Sequence, residues 1–461
     1  MFENYRIIHF IGIGGIGMSG IAELLHNLGY EVTGSDIRES QNTKRLESLG
    51  VKVYIGHRAE NVDSAHVVVV SSAIDEDNPE IAEARKRGIP IIPRAEMLAE
   101  LGRLKYSILV AGAHGKTTTT SLVASVFSQA GRDPTVVIGG RLKATGSNVR
   151  LGQGEFLIAE ADESDGSFLK LTPTVAVATN IDREHMDYFR TMDALYAAFR
   201  QFLDKVPFYG FSVLCTDNIY LRSIKEELNR RVISCGFSED ADVMAYDVNH
   251  RDYGMKFNVL YKGDELGEFF VPLVGRHNVL NALFAITVSK EMFIDTGTIK
   301  DSLKGFSGIQ RRFEFKGQYR GCRVYDDYGH HPTEIKATLG AISGMVKGRT
   351  IVVFQPHRYT RTRDLFREFV NAFDGAHRLY LLDIYPAGER PIEGINSEAL
   401  YEEIKKRNSD VVYMSDRAEL LAELKQTLQK DDLLITLGAG DVWKIGEELL
   451  SSERNDSTGE S

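Results

Sequence analysis

Apolar runs of strand length alternate with amphipathic stretches of helix length along almost the whole chain, the pattern of βαβ units on parallel sheets. From Arg6 to Pro93 the runs IIHFIGIG, EVTGSD, VKVYIG, HVVVVSSAI and IPIIP alternate with helices predicted over 19–28 and 79–87. A proline and a short predicted helix in 92–105 mark an exit, after which the run Ser107 to Ala111 restarts the pattern. Strands follow near 135–138, 156–159 and 175–179; alternation from Asp242 to Val274 then reads as an antiparallel sheet, and the helix after Arg276 returns to the core. A Gly-rich, basic stretch from Gly305 to Gly321 reads as a second boundary, beyond which RVYDDY, TIVVFQP, RLYLLDIY, DVVYMSD and LLITLGAG again alternate with helices. The fold class is α/β, with domains expected over 1–105, 106–315 and 316–450. Residues 451–461 hold no hydrophobic residue and are expected to be disordered.

Composition narrows the class. The 461 residues carry 55 Lys and Arg against 65 Asp and Glu, a net charge of −10, so no basic surface replaces the counterions of nucleic acid. At 43% hydrophobic residues the chain can fill three cores. No apolar run approaches the roughly 18 to 20 residues that span a bilayer. The apolar start from Ile7 to Ile16 lacks a basic flank and is broken by glycines, unlike a signal peptide. Cys215, Cys235 and Cys322 have no metal-ligand spacing and cannot all pair, which fits a reducing cytosol, so a cytoplasmic location is expected. No heptad or exposed stripe identifies an oligomeric state.

Two glycine loops carry the first chemistry. Gly12, Gly14, Gly15 and Gly17 follow a strand and open a helix, and Asp36 ends the next strand. Glycines there let the backbone approach a diphosphate whose charge the helix N-terminus stabilises. NAD or another nucleotide diphosphate fits, and so does a turn that binds nothing. Gly112-Ala-His-Gly115-Lys116-Thr117 sits between a strand and a helix; its amides and Lys116 are suited to β and γ phosphates, and the Thr117 hydroxyl to Mg²⁺. The loop is two residues shorter than G-x-x-x-x-G-K-[ST], because Val110 stands five before Gly115.

Glu160-Ala-Asp162-Glu163-Ser-Asp165 ends a strand, where carboxylates facing a triphosphate can hold Mg²⁺. Thr179-Asn180, with His185 soon after, ends another and can bring an imidazole to the same metal. Asp326-Asp327-Tyr328-Gly329-His330-His331-Pro332 and Gln355-Pro356-His357-Arg358-Tyr359-Thr360-Arg361 follow strands of the third domain and are expected to share a face. Arginines there can clamp a carboxylate and Asp or His can orient an amine; a structural hydrogen-bond network is the alternative.

GIGGIGM, GAHGKTTTT, EADESDGSF, TNIDREHMD, GRHNVLNA, QRRFE, DDYGHHPTEI and PHRYTRTRDLF, taken together and in order over nearly the full chain, closely resemble the Mur ligases. The resemblance implies a Rossmann-like N-terminal domain, a P-loop-type central ATPase domain with a mixed sheet and a Rossmann-like C-terminal α/β domain, binding a UDP-sugar, ATP and an amino acid respectively. Within the family the motifs are similar to members that join L-alanine to the lactyl carboxylate of UDP-N-acetylmuramate through an acyl phosphate, at the expense of ATP and with Mg²⁺. It implies that Lys116, Glu160, His185 and His330 are catalytic and that Thr117, Glu160 and His185 hold metal. Gly112, His114, Gly115, Lys116, Thr117, Thr118, Asn278 and Asn281 would bind ATP, the asparagines near the adenine, with Arg312 reaching the nucleotide on domain closure. Gly12, Gly14, Gly15, Gly17, Asp36 and Ser71 would bind the UDP-sugar, and Tyr328, His330, Arg358 and Arg361 the amino acid.

Two departures stand out. The family loop usually reads GTHGKT, whereas Ala113 replaces the threonine here. Several related ligases carry a carbamylated lysine soon after the metal-site histidine; residues 186–204 contain none, so water or a carboxylate is expected in that role. The alternatives are a ligase that attaches a tripeptide to UDP-N-acetylmuramate, whose third motif usually resembles DDFAHHP rather than a Tyr328-Gly329 form; an NAD-dependent oxidoreductase, which leaves Lys116 and Glu160 without a task; and a module that hydrolyses ATP without ligation.

Overall fold

The computed structural model describes residues 6–71, 73–102, 105–138, 149–150, 152–251, 254–343, 345–407 and 410–458. Three sheets organise them. The first contains β1 (Ile7–Ile11), β2 (Glu31–Asp36), β3 (Lys52–Ile55), β4 (Val67–Val70) and β5 (Ile91–Pro93), all parallel, in the order β3-β2-β1-β4-β5. Phe10, Ile11, Val68 and Val69 are fully buried, as expected where helices cover both faces of a parallel sheet. The strand order reverses between β1 and β4, whose ends pair through Ile11 and Val70. Such a reversal opens a crevice at the carboxyl ends of the strands, and Gly12 and Ser71 are the first residues beyond these two.

The second sheet has ten strands: β6 (Tyr106–Ala111), β7 (Thr135–Val137), β8 (Val149–Arg150), β9 (Phe156–Glu160), β10 (Val175–Ala178), β11 (Phe211–Cys215), β12 (Val232–Gly236), β13 (Val243–Arg251), β14 (Gly254–Tyr261) and β15 (Asp264–Val271). Their order is β15-β14-β13-β12-β11-β10-β6-β9-β7-β8. Parallel β10 and β9 flank β6, so the loops after all three converge. The two-residue connections joining β13, β14 and β15 are open only to antiparallel neighbours, as the alternation from Asp242 to Val274 predicts. β11 and β12 escape sequence reading because they are short runs, buried almost throughout, in which Ser212 and Ser234 leave no clean alternation. The terminal strand β15 is covered at its edge: Lys300 Nζ donates to the Leu266 carbonyl at 2.7 Å, its ammonium lies 4.9 Å from the centre of the Phe269 ring, and Gly267 turns the backbone at φ +75°.

β16 (Glu314–Tyr319), β17 (Cys322–Asp327), β18 (Thr350–Phe354), β19 (Arg378–Leu381), β20 (Val411–Tyr413) and β21 (Leu433–Leu437) form the third sheet in the order β16-β17-β21-β18-β19-β20. β16 lies within the stretch from Gly305 to Gly321 that reads as a boundary, and sequence reading did not separate it as a strand. It runs antiparallel to β17 with an irregularity between Phe315 and Gly317, and glycine at φ +149° in that bulge hides the strand from composition. A correction concerns 451–461: the last helix spans Trp443–Thr458, so the segment expected to be disordered continues a helix, and Glu453 accepts from the Arg320 amide at 2.8 Å. Residues 459–461 lie outside the described residues.

The chain separates into two compact units. One is drawn from residues up to Asp247 with Phe257–Phe270 and Leu280–Ser307, and includes the first sheet and most of the second; the other takes Val248–Lys256, Val271–Val279 and the chain from Gly308, with the third sheet. The helix Arg276–Glu291 is buried almost all round, through Val279, Ala282, Leu283, Phe284, Ala285 and Ile286, as its return to the core requires.

Candidate active site

The Gly12–Gly17 loop is held by the strand beside it. Gly12 N and Ile13 N both donate to the Ser35 carbonyl, at 2.8 and 2.9 Å, and Gly14 N donates to Asp36 Oδ2 at 2.9 Å. Asn42 Nδ2 donates to the Gly14 carbonyl at 2.8 Å. A side chain at Gly14 would stand 2.8 Å from Asp36 Oδ2, and one at Gly12 would stand 3.3 Å from Ser71 Cβ. Asp36 therefore shapes the loop rather than standing free at the strand end. Gly15 caps the helix Ile16–Asn27 without any side-chain bond, leaving that terminus to a ligand. Below the loop the Ser35 hydroxyl donates to the fully buried Glu80 at 2.6 Å. Burial opposes charge on Glu80, but the His9 imidazole 3.8 Å away and hydrogen bonds from Ser35 and Asn61 outweigh it and hold the carboxyl at about 2.

The second loop is built more tightly. The His114 carbonyl accepts from Thr179 Oγ1 at 2.6 Å and Asn180 Nδ2 at 2.9 Å, while His114 N donates to Asn180 Oδ1 at 2.9 Å. Thr179 and Asn180 thus scaffold the loop, and Ala113 still donates its amide to the Asn180 carbonyl, at 3.2 Å. Gly112 and Gly115 have φ of +136° and +84°, and side chains there would stand 2.0 Å from Thr179 Oγ1 and 2.5 Å from Asn281 Oδ1. Asn281 packs directly behind the loop, accepting from Thr119 Oγ1 at 3.2 Å, whereas Asn278 donates to the Val274 carbonyl at 2.7 Å. Thr117 and Thr118 are buried in the first turn of the helix Lys116–Gln129.

Lys116 Nζ donates to the Gly112 carbonyl at 2.6 Å and to both oxygens of Glu163, at 2.7 and 3.0 Å. Burial disfavours both charges. The neighbouring Glu163 and Asp162 nevertheless hold Lys116 above its ordinary range, and burial lifts Glu163, 1% exposed, to about 7. His185, at φ +57° before the helix Met186–Phe189, places Nε2 3.6 Å from Glu163 Oε1 and 3.7 Å from Glu184 Oε2. Glu160 ends β9 opposite Val110, but the carboxylate joining Lys116 to His185 is Glu163, which sequence reading left inside an undifferentiated acidic run. Lys205, the first lysine after His185, donates to the Leu169 carbonyl.

In the third domain the loops after β17 and β18 flank the end of β21, on one sheet edge as expected. Asp327 accepts from Phe313 N at 2.6 Å and Gly329 N at 2.7 Å, tying the Arg311-Arg312-Phe313 turn to the Tyr328-Gly329 loop. Arg311 and Phe313 both have positive φ, an arrangement that needs such support. Burial pushes the Asp327 carboxyl up to about 6, against the pull of Arg312. Arg311 pairs with Asp326 at 2.9 Å, and the guanidinium of Arg312 lies 5.4 Å from the centre of the Tyr328 ring. His330 Nδ1 is 3.0 Å from the Tyr328 carbonyl, which can only accept, so Nδ1 carries a proton and Nε2 faces away from this bond. The His330 and His357 rings are 5.7 Å apart, and His357 stacks on Tyr385. Burial and the surrounding cations lower His357 to about 3. Arg361 Nη1 donates to the His357 carbonyl at 3.2 Å; Arg358 is exposed at φ +71°.

The strand-end glycine loop whose lysine faces a buried carboxylate, and the arginine- and histidine-lined edge of the third sheet, are the arrangements from which a nucleotide-using enzyme can be built. Family models match in succession: the Mur ligase family catalytic domain at residues 7–106, the Mur ligase middle domain at 110–289 and the Mur ligase glutamate ligase domain at 311–440. The chain belongs to the Mur ligase family. It is 55% identical over 452 residues to the UDP-N-acetylmuramate--L-alanine ligase of Geobacter sp. (strain M21), covering 98% of each chain. It is 54% identical to the ligase of the same name from Geotalea uraniireducens, covering 99% of this chain and all of that one. Among solved structures, the UDP-N-acetylmuramate-alanine ligase of Thermotoga maritima is similar with a TM-score of 0.83 at 26% identity, covering 97% of this chain and 99% of that one.

Proposed function

We infer that this chain is the ATP-dependent ligase that joins L-alanine to the lactyl carboxylate of UDP-N-acetylmuramate, releasing ADP and phosphate. Near-complete coverage of relatives bearing that activity in their names, at 51 to 55% identity, carries the reading and disfavours both the tripeptide ligase and the oxidoreductase. No helix of the described residues is long and apolar enough to cross a membrane, and we place the enzyme in the cytoplasm.

The division of labour follows the three sheets, with boundaries near 105 and 315. The Gly12–Gly17 loop, with Ser71, receives the UDP diphosphate. The second loop receives ATP: its amides and Lys116 draw charge from the β and γ phosphates. A buried carboxylate lifted to about 7 beside an imidazole fits a hard cation, and Glu163, His185 and Thr117 would hold Mg²⁺, with Glu160 at the same strand end. When bound, that ion offsets charge on the transferring phosphoryl group.

A lactyl oxygen attacks the γ phosphorus and ADP leaves. The resulting acyl phosphate is a far better electrophile than a carboxylate. In the third domain Arg358 and Arg361 clamp the alanine carboxylate, Tyr328 flanks it, and the His330 Nε2 lone pair accepts the amine proton as nitrogen attacks the acyl carbon and phosphate departs. Phosphate release from ATP, measured with UDP-N-acetylmuramate and with or without L-alanine, tests the reading. Release that depends on both substrates and yields the amide is expected; release indifferent to alanine overturns it.

A further inference from the structure

Arg94 lies outside every motif recognised above. It follows β5 directly, at the carboxyl edge of the first sheet, and opens the helix Arg94–Gly102. Its guanidinium lies against the last glycine of the first loop: a side chain at Gly17 would stand 2.6 Å from Arg94 Nη1 and 3.3 Å from its Cζ. On its other side Nη2 is 3.9 Å from Asp162 Oδ2, one residue before the Glu163 that holds Lys116. That separation exceeds a hydrogen bond, and the guanidinium, only 29% exposed, makes none among the described residues. A partly buried Arg in a loose ion pair at 3.9 Å, with no hydrogen bond among the described residues, at a strand-end crevice beside a glycine loop, is prepared for a closer anion. The missing side chain at Gly17 is what lets it lie there.

We propose that Arg94 is a substrate-binding residue that grips an oxyanion of the sugar nucleotide between the first glycine loop and the acidic run beside Lys116. The inference rests on the ligase reading above. The oxyanion is either the diphosphate or the lactyl carboxylate, which share this recognition chemistry. With the carboxylate as its ligand, Arg94 would orient the nucleophile toward the γ phosphate; with the diphosphate, it would close the crevice over the loop. In both cases the same side chain reads the first substrate and borders the second.

The test is calorimetry of the full chain, wild type, Arg94→Gln and Arg94→Lys, with UDP-N-acetylmuramate, with UDP-N-acetylglucosamine, which keeps the diphosphate and lacks the carboxylate, and with ATP. Arg94→Gln should weaken UDP-N-acetylmuramate by about tenfold or more and leave ATP within about twofold. Arg94→Lys should recover part of the loss, since it restores charge without the planar fork. An equal loss for UDP-N-acetylglucosamine assigns the diphosphate; a loss confined to UDP-N-acetylmuramate assigns the carboxylate. Unchanged UDP-N-acetylmuramate affinity in Arg94→Gln overturns the proposal, and so does an equal weakening of ATP, which would mark a structural prop. Failure of the ligase reading is separable, because it shows in the wild-type chain alone, as no binding of UDP-N-acetylmuramate or as phosphate release indifferent to L-alanine.

Discussion

In the Gly12–Gly17 loop a carboxylate, Asp36, holds backbone; in the Gly112–Thr117 loop a carboxylate, Glu163, holds a cation. The amides and helix terminus of the first loop are already shaped by β2, and Arg94 lies against its last glycine. At the second the lysine is already paired with Glu163, so on the proposed reading a nucleotide there exchanges one charge partner for another. On that reading, affinity at the first loop follows from close approach of the backbone together with the Arg94 charge, and at the second from exchange of charge partners. Two glycine-rich turns that look alike in sequence differ in what a substitution destroys.

The largest expected effect breaks the second loop alone. Lys116→Ala should lower phosphate release about 10³-fold while calorimetry finds UDP-N-acetylmuramate bound within about twofold of wild type. Loss of the sugar nucleotide in a folded Lys116→Ala protein would show that the two loops serve one ligand. Next come Arg358→Ala and Arg361→Ala, which should leave both loops working. Alanine capture should weaken by about 1.5 to 3 kcal/mol in an alanine titration, while isotope exchange still reports acyl-phosphate formation. Unchanged alanine dependence in both folded variants would reassign the clamp to His330 and the Asp326-Asp327 pair.

Gly14→Val is the reciprocal of the lysine change. Its side chain would press on Asp36 Oδ2, so sugar-nucleotide binding should weaken by about 1 to 3 kcal/mol with ATP affinity retained. The smallest effect concerns a third buried carboxyl, Asp327. Burial raises it to about 6 in the native state, above its ordinary range, so its contribution to stability is full below about pH 4 and lost as pH rises through about 6. Denaturant unfolding of Asp327→Asn against wild type should show a gap that moves by about 1 to 2 kcal/mol in the variant's favour between pH 4 and 7.5. A gap constant with pH would mean that Asp327 ionises as freely in the folded protein as in the unfolded one.

Local patterns announced the strand-loop-helix placement of both glycine loops, because glycine spacing and the periodicity around it are short-range signals. The convergence of the loops after β6, β9 and β10 was legible for the same reason: consecutive βα units deliver their loops to one edge. What sequence could not resolve was which carboxylate of the run from Glu160 to Asp165 faces Lys116. Beyond the strand end the chain turns, Gly166 at φ +69° follows, and the two-residue alternation that assigns faces no longer applies. Asn281 was similarly opaque: its place behind Gly115 joins residues 166 apart in the chain and depends on how the helix Arg276–Glu291 packs. β16 was hidden by its own glycine, and the final helix by a polar composition that does not prevent a helix already begun at Trp443 from propagating.

The capped edge of the second sheet bears on how the protein behaves in a crowded solution. A strand at the end of a ten-stranded sheet offers unpaired backbone groups to any extended chain that meets it, which is the first step of edge-to-edge aggregation. Lys300 occupies one of those acceptors on β15, its ammonium lies over the Phe269 ring, and Gly267 takes a positive φ, so an incoming strand finds a charge and a kink where it needs a flat ladder. Lys300 and Gly267 lie outside both glycine loops, and replacing them would leave this edge a better template for strand pairing.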